Sequence, residues 1–107
     1  MIKAEFFSAG EREASSGFRV SGHTGVSGQS VVCAAVSSAC YMAANTITEI
    51  FGAEGDGSGA DGYMSVVVKG DDVPRADAIL AGLRLHLEQL AMQYPKQIKI
   101  IISEVHQ

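Results

Sequence analysis

A strand that feeds a loop with glycine at every third position, and then a long helix without charge, leaves this chain few ways to fold. The strand is Phe18 to Ser21, the loop Gly22-His23-Thr24-Gly25-Val26-Ser27-Gly28-Gln29-Ser30, and the helix opens Val31-Val32-Cys33-Ala34-Ala35-Val36-Ser37. The glycines at 22, 25 and 28 supply the conformational freedom a loop needs to turn back on the helix it leads into. Ser30 is placed to cap the helix. One histidine stands in the loop, and a cysteine follows ten residues later in the first helical turn. A thiol there meets unpaired backbone N–H groups and the positive end of the helix dipole, and both favour the thiolate. His23, brought alongside, could take the thiol proton and return it to a leaving amine.

The remaining elements follow from periodicity. Ile2, Ala4 and Phe6 alternate with Lys3, Glu5 and Phe7, so Ile2 to Ser8 reads as a strand, joined through the polar residues Ala9 to Ser16 to an antiparallel partner at Phe18 to Ser21. The uncharged helix runs from Val31 to about Phe51 with Gly52 just past its end, and its apolar and small residues predict burial on most sides. Gly52 to Gly62, with five glycines and three acidic residues, reads as a mobile acidic loop. Tyr63 to Lys69 alternates as a strand. Asp71, Asp72 and Pro74 open a second helix with its stripe at Ile79, Leu80, Leu83, Leu87 and Leu90, and Tyr94-Pro95 ends it. Ile98, Ile100 and Ile102 make a last strand. The expectation is an α+β domain spanning residues 1–107, ββαβαβ in order, with a four-stranded sheet and two helices packed on one face.

Several function classes recede. A net charge of −4 offers no basic stripe for nucleic acid. A phosphate loop would need glycine where His23 stands and lysine where Gln29 stands. Two isolated histidines, His86 and His106, and two cysteines have no metal-ligand spacing, so no metal or cofactor is expected. Val31 to Ile47 lacks charge but is rich in Ala, Ser and Thr without flanking Lys or Arg, which favours a buried helix over a membrane span. Met1-Ile2-Lys3-Ala4-Glu5 has no leader-like apolar run. Cys33 and Cys40, seven residues apart on one helix, lie about 10 Å apart and cannot bridge. A reducing cytoplasm fits both features.

The candidate site has a bland reading beside the chemical one. Cys33 is flanked by Val32 and Ala34 and could be a small core hydrophobe, and Cys40 in mid-helix is read that way outright. Ser37, one turn beyond Cys33, could touch the thiol or bond back to the helix. The two readings of Cys33 balance on spacing alone.

Taken together, Val20-Ser21-Gly22-His23-Thr24-Gly25, Gly28, and Val31-Val32-Cys33-Ala34-Ala35-Val36-Ser37 resemble the signature of the ribosomal-processing cysteine proteases. The likeness extends over essentially the whole chain, through the opening strand, the long helix with Asn45 and the second amphipathic helix. The resemblance implies a small homodimeric bacterial endopeptidase that removes an N-terminal extension from large-subunit ribosomal protein L-twenty-seven. By motif position it makes Cys33 the nucleophile and His23 the general base and acid. Gly22 becomes the hinge of a moving loop, with Gly25 and Gly28 in the same loop, and Ser30 and Ser37 are supporting residues. The family usually has aspartate three residues before the cysteine, where this chain has Ser30. A ribosome-associated protein that binds a peptide without turnover is the alternative of another class, and a phosphate-ligand module is a third.

Overall fold

The computed structural model describes residues 2–9, 15–22, 31–53, 55–60 and 63–105. Two strands, β1 (Ile2–Ala9) and β2 (Ser15–Ser21), form the expected antiparallel hairpin, with Ala4 opposite Val20 and Phe6 opposite Phe18. Helix α1 (Val31–Asn45) follows and runs on as a π-helical turn through Thr46–Ile50. The widened turn has a local cause. Thr46 donates its hydroxyl to the Met42 carbonyl at 2.7 Å and Thr48 to that of Ala44 at 3.1 Å, and such back-bonding competes with the regular ladder. Gly52, at φ +65°, then turns the chain in a conformation other residues adopt at a cost.

The segment read as an acidic loop contains a strand. Gly55–Ala60 is β3, paired antiparallel to β4 (Tyr63–Lys69), so five strands form the sheet where four were expected, in the order β3-β4-β2-β1-β5. Glycine-rich sequence is a poor strand former by propensity, and here pairing to a strong neighbour decides the conformation. The two-layer α+β architecture with two helices is otherwise as read, and β2 begins three residues earlier than expected. Helix α2 (Val73–Gln93) leads to β5 (Ile98–Val105), parallel to β1.

Connectivity dictates where the helices go. β2 and β3 are parallel and joined through α1 across β4, while β4 and β5 are parallel and joined through α2 across β2 and β1. The crossovers point in opposite directions from oppositely running strands, so right-handedness in both puts both helices on the same face. That face carries the core. Phe18, Val20, Met64, Val66 and Val68 from the sheet meet Val32, Val36, Cys40, Ala43 and Ile47 from the first helix, and Ala76, Leu80, Leu83 and Leu87 from α2 complete it. The Phe6 and Phe18 rings lie 6.4 Å apart between centroids, tilted by 33°.

Helix α1 departs from expectation on its outer side. Val31–Ile50 is long and apolar enough to cross a membrane by composition, yet it lays one stripe into the core, and only Val32, Val36, Cys40, Ala43 and Ile47 of its 20 residues are buried. Val31, Ala34, Ser38, Tyr41 and Met42 face outward, exposed and uncharged. Small residues let a helix look apolar all round while a single stripe makes the contacts.

On the opposite sheet face the Phe7 ring lies over Gly17. A Cβ at Gly17 would sit 2.3 Å from the Val66 carbonyl oxygen and 2.9 Å from Phe7 Cε2. Gly17→Ala should therefore destabilise the fold by about 1–3 kcal/mol, because backbone has to shift. Gly82→Ala, inside α2 with nothing within 4 Å, should stabilise it by about 0.5–1 kcal/mol. Urea unfolding of the two variants checks the pair of opposite signs.

Candidate active site

The site grows from the junction of β2 and α1. β2 ends at Ser21, and Gly22 leaves it at φ +78°, a backbone that any residue with a Cβ adopts only under strain. The chain re-enters the described structure at Val31, the first residue of α1, with Cys33 in its first turn. His23, Gly25, Gly28 and Ser30 lie outside the described residues, as does His106.

The two cysteines have different surroundings. Cys33 is half-buried at the helix start, and Cys40 is fully buried two turns on. No disulfide joins them, as their spacing requires. Burial pushes the Cys40 thiol from 9.0 up to about 12, because a thiolate would sit in apolar surroundings. The folded chain then keeps a proton that the unfolded chain loses above its ordinary thiol value, so this group lowers stability as pH rises beyond about 9. Cys40 is thus a core residue, as its place in mid-helix suggested.

Helical geometry separates Cys33 from the groove between the two helices. A groove of ≈ 570 Å³ runs between Ala35, Ala39 and Met42 of α1 and Ile79, Leu83 and His86 of α2. Cys33 and Ala35 project about 200° apart around the helix axis. Cys33 therefore occupies the flank of α1 away from α2, with half-buried Ser37 one turn along the same flank. His86, exposed on α2 beside the groove, is on the wrong side to serve Cys33. Among the described residues no cluster of His, Cys, Asp or Glu could hold a metal ion.

Sequence reasoning missed the uncovered outer face of α1 and a second cleft at the other end of the sheet. The latter was partly legible, because the alternation of Phe18 and Val20 extends back to Ser16 and turns that hydroxyl inward.

The family model described as cysteine protease Prp matches residues 1–99. No curated protein matches the chain. Among solved structures, the essential ribosomal processing protease Prp of Staphylococcus aureus, in complex with a covalently linked product peptide, superposes with a TM-score of 0.76 at 20% identity, covering 95% of this chain and 99% of that one. The protein SMU.848 of Streptococcus mutans gives 0.73 at 22% identity, covering 100% and 96%. At such identities these likenesses establish the two-layer fold.

Brief treatment with iodoacetamide at neutral pH, followed by mass mapping, should place the label on Cys33 well before Cys40. The half-buried thiol is accessible, and the buried one is both inaccessible and held protonated. Equal labelling of the two would remove the structural reason for choosing Cys33.

Proposed function

Because the chain belongs to the cysteine protease Prp family, we propose that it is a ribosomal-processing endopeptidase that removes a short N-terminal extension from large-subunit ribosomal protein L-twenty-seven. The observation that carries this reading is the position of Cys33, half-buried in the first turn of α1, the helix that follows β2 and the Gly22 turn in the chain, while the other thiol is locked in the core. The peptide complexes of the Staphylococcus aureus protease, which shares the fold, support a peptide as the substrate.

In the proposed reaction His23 takes the Cys33 proton, and Sγ bonds to the scissile carbonyl carbon. The oxyanion is held by backbone N–H groups at the start of α1, which have no acceptor within the helix. When the carbon–nitrogen bond breaks, the imidazolium returns its proton to the departing amine. Water, deprotonated by the same imidazole, then releases the acyl group and restores the thiol. Gly22 is the hinge on which the loop carrying His23, Gly25 and Gly28 opens for substrate. Ser30 caps α1, and Ser37 is a supporting residue one turn along the flank that carries the thiol.

The protein acts in the reducing cytoplasm, where a ribosomal substrate is made and a catalytic thiol survives. It works as a homodimer. The uncharged outer face of α1, bearing Val31, Tyr41 and Met42, is the support for a second copy, since so wide an apolar surface is unusual on a monomer.

Cys33→Ala and His23→Ala should each abolish cleavage of an extension-bearing peptide with unchanged circular dichroism, while Cys40→Ala and His86→Ala remain active. A Cys33→Ala protein that still cleaves would exclude the covalent route. Ser30→Ala should cost about 1 kcal/mol in unfolding experiments, and Ser30→Asp should leave the pH profile of cleavage in place, as expected when the residue caps the helix. A large gain in rate with Ser30→Asp and a displaced limb would instead assign the position to charging the histidine.

A further inference from the structure

At the end of the sheet remote from Cys33, a cleft of ≈ 280 Å³ opens between α2 and strands β1, β2 and β5. Ser16 lies six residues before Gly22 along β2, about 20 Å from the end that leads to the thiol. Ser8 and Ser16 are register partners, at positions that continue the inward-facing rows of Phe6 and Phe18. Ser16 is 4% exposed, and its hydroxyl makes no hydrogen bond among the described residues. A buried hydroxyl without a partner is costly, and few survive in folded proteins unless something completes them.

The helix side of the cleft supplies opposite charges. Asp77 and Arg84 lie two turns apart on one face of α2, with Leu80 and Ala81 between them. Asp77 has no ion pair among the described residues, and Arg84 meets Glu88 only through Nε at 3.7 Å, which leaves its terminal nitrogens available. The floor is apolar, formed by Phe6, Leu80 and Ile102, and Ile102 is left 40% exposed although its strand position faces the helices. Positive and negative poles about 10 Å apart along the helix, flexible side chains, hydroxyls between them and a small apolar floor complement one chemistry.

We propose that this cleft binds a small zwitterion with a short apolar side chain, a free α-amino acid or a dipeptide. Arg84 and the Ser16 hydroxyl receive the carboxylate, Asp77 receives the ammonium, and the side chain lies on Phe6 and Leu80. The charged hydrogen bonds give affinity and the floor limits size.

The test is titration of the ¹⁵N-labelled full chain with L-valine, Gly-Val, or N-acetyl-valinamide, which has the same side chain and neither charge. The amides of Ser8, Ser16 and Leu80 should shift saturably with L-valine, Gly-Val or both at concentrations up to about 10 mM, the affinity range of so small a ligand. The tighter of the two identifies the natural source. The capped compound should leave these amides in place. Arg84→Gln and Asp77→Asn should each weaken the zwitterion about tenfold or more, since each removes a charged partner. Ser16→Ala should also weaken it without lowering the urea midpoint, which separates a binding hydroxyl from a structural one. Failure of both zwitterions to move these amides, equal binding of the capped compound, or undiminished binding in both charge variants would each overturn the proposal.

Discussion

Everything in this molecule depends on one strip of contact, the seating of Val32, Val36, Cys40, Ala43 and Ile47 of the first helix and its π-turn on the sheet. Burial of a valine or isoleucine side chain is worth about 1.5–3 kcal/mol, so three such residues with two smaller ones hold the helix against the modest stability of a domain this size. The stripe also fixes the rotation of the helix. With Val36 and Cys40 directed at the sheet, Cys33 and Ser37 must fall on one flank and Ala35 and Ala39 on the other, towards α2. The direction in which Cys33 leaves the helix is thus set by core packing.

That dependence separates the two cysteines. The stripe takes Cys40 out of solvent and holds its thiol protonated, while Cys33, two turns earlier, stays at the helix start and half-accessible. The glycine at φ +78° makes the chain leave β2 abruptly. The chain belongs to a family of cysteine proteases, and the packing of α1 leaves Cys33 the more accessible of its two thiols.

Much of this was legible in the sequence, for reasons that differ by element. Strong alternation at Ile2 to Phe7 and Tyr63 to Lys69 marked strands, and the leucine stripe marked α2, because periodicity reports which side is buried. β3 escaped because glycine at every second position, Gly55, Gly57 and Gly59, has no apolar alternation to read, and its conformation comes from pairing with β4. The covered width of α1 was overread, since alanine and serine are compatible with either side of an interface. Of the candidate site, the place of Cys33 in the first turn of α1 and of Cys40 in the core was readable from helical periodicity. The flank of Cys33 required the structure, as did the cleft where Ser16, Asp77 and Arg84 come together from distant parts of the chain.

The central claim is that Cys33 forms the covalent bond to substrate. It is tested most directly by acid-quenching the enzyme during turnover of an extension-bearing peptide ester, then locating the acyl group by mass mapping. One acyl adduct is expected, carried on Cys33 as a thioester and lost on longer incubation. An adduct on another residue, or steady hydrolysis with no thioester on Cys33 even when deacylation is slowed, would contradict it.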